Sequence, residues 1–198
     1  MNSESLPERL ILASSSKYRK MLLQRFGIPF ECHSPDIDEG RRENESPVEL
    51  VERLADEKAA AICKDHPAAI VIGSDQIALF ENNVLGKPGS FEAAMQQLSS
   101  FSGRTIEFLT AVSVQSRASG FREAHIDITR VHFRELEAAE IRRYLEAEKP
   151  YDCAGAFKAE SLGITLFERI RSEDPTALIG LPLIRTAGML RRAGLHLP

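Results

Sequence analysis

Arg9-Leu10-Ile11-Leu12-Ala13-Ser14-Ser15-Ser16-Lys17-Tyr18-Arg19-Lys20, continuing into Met21-Leu22-Leu23, reads as a short buried strand that breaks at a hydroxyl-rich corner and restarts as a helix. Serine is a favoured N-cap because its hydroxyl accepts a bond from an otherwise orphaned backbone N–H. Cations are disfavoured at the positive end of a helix dipole, yet Lys17, Arg19 and Lys20 all fall in the first turn. A basic turn behind three serines therefore points to an anion at the corner, and phosphate is the anion such corners suit. The stretch is not a Walker loop, because it lacks the glycines and the Gly-Lys-Ser/Thr ending. An ordinary serine-capped surface helix would look similar in isolation, so residues downstream must decide.

Outward from this corner, the helix closes at Gly27, residues 30–34 read as a second strand, and residues 35–47 form an acidic loop carrying Asp36, Asp38 and Glu39. Ser46-Pro47, with Glu49 three residues after the serine, opens a long helix to about Lys64 in the manner of a capping box. Its apolar stripe is Val51, Leu54, Ala55 and Ile62, and Lys58 falls on that same stripe, where the helical period calls for an apolar residue. A snorkelling lysine at the core edge and a functional lysine both fit that position.

Residues 68–73 are a continuous apolar run, the pattern of a buried central strand. The run stops at Ser74-Asp75-Gln76, and a carboxylate at a strand end is where α/β folds place ligand chemistry. Strand character resumes over 76–81, Asn82-Asn83 supplies a hairpin turn, and the return through Val84-Leu85 to Gly86-Lys87-Pro88 is expected to bring Lys87 back toward Asp75.

The second half reads as a helix over 91–98, two long strands over 105–115 and 124–133, and a helix over 138–148. A loop of small and charged residues over 153–163 suits ligand binding, and a strand over 164–167 and a last helix from Leu181-Pro182 to Arg192 complete the chain. Helices and strands alternate first and antiparallel hairpins follow, which gives an α/β or α+β class with a mixed sheet. No repeat or linker interrupts residues 1–198, so one domain is expected, which this length can also arrange as two small lobes around a cleft.

A net charge of -4 excludes a general nucleic-acid binder, whose affinity would come from many basic contacts to backbone phosphates. Cys32, Cys63 and Cys153 are odd in number and lack metal-ligand spacing, so neither a disulfide framework nor a zinc site is expected and a reducing cytoplasm fits. No apolar run is long enough to span a bilayer, and residues 1–8 lack the pattern of a signal peptide, so no membrane partner is expected.

Cations to balance phosphates, carboxylates to hold a metal, and a base to activate water are the inventory of phosphoanhydride hydrolysis. With Leu-Ala-Ser-Ser-Ser and Arg19, Ile37-Asp38-Glu39, Asp56-Glu57-Lys58-Ala59, Gly73-Ser74-Asp75-Gln76, Gly86-Lys87-Pro88, Ala154-Gly155-Ala156-Phe157 and Ile179-Gly180-Leu181-Pro182-Leu183, the chain resembles the Maf family of nucleoside triphosphate pyrophosphatases over nearly all its length. The resemblance implies a mixed, mainly antiparallel twisted sheet flanked by helices around a central cleft, as in Maf and ITPase-like proteins. It also implies cleavage of a nucleoside triphosphate to the monophosphate and pyrophosphate with a divalent cation (Mg or Mn), a cytoplasmic location and a homodimer.

Carried over by position, Ser14, Arg19, Lys58 and Lys87 would grip the phosphates, Glu39 would help hold the metal, and Asp75 would accept the proton of the attacking water or itself bind the metal. Lys17 stands where the family usually has proline. Tyr18, Gln76 and the run Phe157-Lys158-Ala159-Glu160 resemble the branch acting on 7-methyl-GTP, which would remove modified nucleotides from the pool. Tyr18 replaces the tryptophan more usual there. A methylated guanine is cationic, so an aromatic face at Tyr18 and a carboxylate at Glu160 suit it. The branch hydrolysing dTTP and UTP, and a non-catalytic nucleotide-binding regulator of cell division, are the alternatives.

Overall fold

In the computed structural model, the described residues are 9–81 and 83–197. Residues 1–8, where no signal pattern was found, and Asn82 of the expected turn lie outside them. The elements run β1 (Leu10–Leu12), α1 (Lys17–Leu23), β2 (Glu31–Cys32), α2 (Pro47–Asp65), β3 (Ile70–Phe80) and β4 (Asn83–Leu85). They continue with α3 (Phe91–Phe101), β5 (Thr105–Ser116), β6 (Phe121–Phe133), α4 (Ala138–Glu148), β7 (Phe167–Arg171) and α5 (Leu183–Arg192). The fold is α/β: a mixed sheet in the order β2-β1-β3-β5-β6-β7, with β4 added to β3.

β1 is parallel to both neighbours, with Ile11 opposite Glu31 in β2 and Val71 in β3. A three-residue strand whose every side chain is buried and whose two edges are both paired must be wholly apolar, and Leu-Ile-Leu meets that demand. β4 runs antiparallel to β3, with Leu85 opposite Ala78, and β7 runs antiparallel to β6.

Contacts group the chain into two compact units. The first takes the chain up to Asp75, Thr110–Ile126 and the chain from Gly180, and the second takes Gln76–Leu109 and Asp127–Ile179. In the first, α2 starts with the expected capping box: Glu49 N donates to Ser46 Oγ at 3.2 Å and Ser46 N donates to Glu49 Oε2 at 2.8 Å. Ala59, Ile62 and Cys63 of α2 pack on Ile11 of β1, on Ala13 just after it and on Val71 of β3. α2 is further anchored by Asp56, whose carboxylate accepts a bidentate pair from Arg122 of β6 at 2.8 and 2.6 Å and a bond from Gln115 of β5 at 2.8 Å.

Phenylalanines fill the second unit. Phe157 meets Phe108, Phe133 and Phe167 edge-on at ring-centre distances of 5.3, 5.6 and 4.9 Å, with α3 and α4 closing over the cluster. The loop expected over 153–163 thus places Ala156 and Phe157 in the core and leaves Glu160 exposed.

Four expectations about local structure change. β3 does not break at Ser74-Asp75-Gln76 but runs through them, so Asp75 is a mid-strand residue and not a strand end. The second strand is only Glu31–Cys32, and α3 extends to Phe101. Residues Leu162–Leu166 form a 3₁₀ turn, with the strand starting at Phe167. The turn persists because Thr165 Oγ1 donates to Leu162 O at 2.8 Å and because Gly163 lets the chain close on Lys158, whose carbonyl would lie 2.4 Å from any Cβ there.

Candidate active site

Lys58 is the point from which the site is built. Its ammonium lies 2.6 Å from Asp75 Oδ1 and 2.8 Å from Glu39 Oε1. The Lys58 and Asp75 side chains are 8% and 11% exposed, whereas Glu39 is 63% exposed at the rim. Burying an ammonium is tolerated only when it is paired, and here two carboxylates share it.

Gly73 makes this pairing possible. A Cβ at that position would stand 2.1 Å from the Ala55 carbonyl and 2.7 Å from the Ala59 amide, so only glycine lets α2 press this closely onto β3. Lys58 is thereby set against Asp75, two residues further along the strand.

Ser74 explains how a polar residue continues the strand. Its fully buried hydroxyl lies 2.7 Å from Ala111 O and 3.0 Å from Gly180 O, sharing one proton between two carbonyls. Gly180 O also accepts from Arg19 Nε at 3.0 Å, and Arg19 Nη1 reaches Ser14 Oγ at 3.5 Å. Gly180 has φ +123°, a conformation that favours glycine, so this carbonyl is turned to Arg19 by a backbone other residues rarely adopt.

At the opening corner, Ser16 caps α1 by accepting from Arg19 N at 3.4 Å, and Ser14 Oγ accepts from Ser16 N at 3.1 Å. Burial pushes the Arg19 guanidinium below its ordinary pKa, and the negative charges of Asp75 and Glu39 work against that shift. Two cations, Arg19 and Lys58, thus stand in the field of the same two carboxylates.

The acidic loop that carries Glu39 is held from α2. Arg53 donates to Gly40 O at 2.9 Å and to Glu45 Oε1 at 2.5 Å, and Glu45 accepts from Arg42 N at 3.0 Å. Those bonds hold the Glu45 carboxyl at a pKa of about 2, Arg53 being the main cause.

The expected residues thus divide. Ser14, Arg19, Glu39, Lys58 and Asp75 assemble in the first unit, where Tyr18 also lies, half-buried on α1 with the Lys17 ammonium 5.0 Å from its ring centre. Gln76, Lys87 and Glu160 belong to the second. Gln76 donates from Nε2 to the carbonyls of Ala177 and Leu178 at 2.9 and 3.1 Å. Lys87 lies in the exposed loop after β4, two residues beyond the Ala78–Leu85 pair, and Glu160 is exposed.

Sequence reasoning passed over Gly73, Ser74, Gly180, Asp56 and Arg53 as site-building residues. The available signal was strongest at Gly73: a glycine inside an apolar strand run marks close backbone approach.

The family described as Maf-like protein matches residues 9–193. The chain belongs to the Maf family. Among its Maf relatives, a protein of Pseudomonas syringae pv. syringae (strain B728a) named 7-methyl-GTP pyrophosphatase is 51% identical, over 96% of this chain and 98% of that one. A protein of the same name from Xanthomonas oryzae pv. oryzae (strain MAFF 311018) is 53% identical, over 96% and 99%. Of solved structures, the Staphylococcus aureus Ham1 protein aligns with a TM-score of 0.48 and 15% identity, over 65% of this chain and 73% of that one.

Proposed function

We propose that this Maf protein is a nucleoside triphosphate pyrophosphatase that hydrolyses 7-methyl-GTP to 7-methyl-GMP and pyrophosphate. The observation that carries the proposal is the buried Lys58 ammonium shared by Asp75 and Glu39, beside Arg19 and Ser14. The 7-methyl-GTP pyrophosphatase names of relatives about half identical over nearly the full chain support the substrate.

Water attacks the α-phosphorus, a new P–O bond forms, and the bond from that phosphorus to the bridging oxygen breaks, so that pyrophosphate departs. Asp75 takes the proton of the attacking water. Arg19 and Lys58 balance the charge that grows on the phosphate oxygens, and the family likeness gives Lys87 the same role. The Ser14 hydroxyl donates to a phosphate oxygen.

Glu39 and Asp75 lie together at the Lys58 ammonium, 2.8 and 2.6 Å from its Nζ, and both carry hard carboxylate oxygens. Those two carboxylates would hold a hard dication such as Mg or Mn. Among the described residues no group of three or more His, Cys, Asp or Glu stands together as a metal site. When bound, the ion would lower the charge of the triphosphate and polarise its oxygens. In the alternative role for Asp75, its carboxylate serves the metal and not the proton.

Tyr18, Gln76 and Glu160 would select the base, the ring of Tyr18 and the charge of Glu160 favouring a cationic purine. No helix among the described residues is long and apolar enough to cross a membrane. Family likeness supports a cytoplasmic homodimer, and sedimentation equilibrium checks the dimer. Pyrophosphate release from 7-methyl-GTP, GTP, dTTP and UTP, each with Mg or Mn, tests the substrate. The highest kcat/KM is expected for 7-methyl-GTP, faster turnover of a pyrimidine triphosphate would assign the chain to the other branch, and no release from any would leave a nucleotide-binding role.

A further inference from the structure

The segment from Lys158 to Leu162 is a surface loop of the second unit tied down by one carboxylate. Glu148, at the end of α4, accepts from Ser161 Oγ at 2.6 Å and Leu162 N at 3.1 Å through Oε2, and from Lys158 Nζ at 3.2 Å through Oε1. The Lys158 ammonium also donates to the Glu148 backbone carbonyl at 2.9 Å, and Lys158 N donates to the Tyr144 hydroxyl at 3.1 Å. The Lys158 and Glu148 side chains are 17% and 12% exposed. The bonds from Ser161, Leu162 and Lys158 hold the Glu148 carboxyl below the usual carboxylate range.

These contacts flank Glu160 on both sides, yet none of them is to Glu160 itself, which stands exposed. Lys158 is two residues from Glu160, and its charge is the nearest in sequence that could cancel the Glu160 carboxylate. In the structure that ammonium is held instead by Glu148, in a partly buried pair.

We propose that Glu148 is a positioning residue for base selectivity, sequestering the Lys158 ammonium and pinning Ser161 and Leu162 so that no lysine charge offsets the Glu160 carboxylate where it meets a cationic nucleobase. The inference rests on the role given above to Glu160. It adds an electrostatic requirement: the selectivity of the loop depends on where a lysine charge is held, and not only on the acid that meets the base.

The test is the ratio of kcat/KM for 7-methyl-GTP over GTP in the full chain with Mg. It compares wild type, Glu160→Ala, Glu148→Gln, Lys158→Met and the double variant Glu148→Gln/Lys158→Met, with thermal unfolding of each. Glu148→Gln releases Lys158 toward Glu160, and the ratio is expected to fall about fivefold, the scale of one exposed charge pair, with the change in KM for 7-methyl-GTP and not in kcat. Removing both charges in the double variant is expected to restore the ratio to within about twofold of wild type.

A purely structural role for Glu148 would leave the double variant as unselective as the single, and that result overturns the inference. So does an unchanged ratio in folded Glu148→Gln when Glu160→Ala lowers it. If Glu160→Ala itself leaves the ratio unchanged, the role of Glu160 fails first and the inference falls with it.

Discussion

Asp75→Asn removes one charge from the buried pair while keeping the size of the side chain, so it separates chemistry from packing. Lys58 Nζ lies 2.6 Å from the carboxylate, and both side chains are about nine-tenths buried. Stranding a buried charge typically destabilises by ~3–5 kcal/mol, but Glu39 remains 2.8 Å from the same ammonium and asparagine can still accept a hydrogen bond. The expected loss is therefore about 1–2 kcal/mol, or roughly 2–8 °C in Tm for a chain of this size.

The effect on turnover should be far larger. Loss of a general base lowers kcat about 10²- to 10⁴-fold, equivalent to about 2.7–5.4 kcal/mol of barrier. Pyrophosphate release at saturating 7-methyl-GTP and Mg gives kcat, calorimetry gives nucleotide affinity, and thermal unfolding shows that the variant is folded. Binding within a few-fold of wild type with turnover nearly abolished is the expected pattern. A folded variant whose kcat stays within about threefold of wild type would refute both roles assigned to Asp75.

Two further outcomes follow from the geometry around that pair. Gly73→Ala puts a Cβ 2.1 Å from the Ala55 carbonyl, so α2 must retreat from β3 and carry Lys58 with it; about 1–3 kcal/mol of stability and at least tenfold in kcat should be lost, and unchanged kcat and Tm would contradict the close-approach role. Glu45 has its pKa depressed to about 2 by Arg53, so the stability it contributes is present above the usual carboxylate value near 4.5 and is lost as pH falls toward 2. The Tm difference between wild type and Glu45→Gln should accordingly be widest above about pH 5 and shrink on acidification, whereas a difference that grows with acid would reverse the sign.

Most of the architecture was legible in local sequence. The Leu-Ile-Leu strand, the Ser46 capping box and the apolar run leading into Asp75 each declare themselves within a few residues, because propensity, capping and period are short-range properties. The break expected after Gly73 was misread for the opposite reason. Ser74 looks like a strand terminator until its hydroxyl finds Ala111 O and Gly180 O, partners 37 and 106 residues away. The strand expected at 164–167 failed similarly, since the 3₁₀ turn there depends on Gly163 closing against Lys158 and on Glu148 of α4.

The candidate site divides along the same line. Sequence alone singled out the groups that the first unit brings together, namely the Ser14 corner with Arg19, the misplaced Lys58, the Asp75 carboxylate and the acid at Glu39, and it pointed to the family to which the chain belongs. Residue type and spacing marked the corner, the off-pattern lysine and the acid after the apolar run, because they specify charge, hydroxyl and helical face, and the Maf resemblance supplied the roles expected of them. Tertiary structure decided how those groups are held. Lys58 finds its two carboxylates only because Gly73 lets α2 lie against β3, and Arg19 is aimed by the Gly180 carbonyl from the far end of the chain. Both depend on close approach between segments distant in sequence, a steric fact that no local pattern encodes.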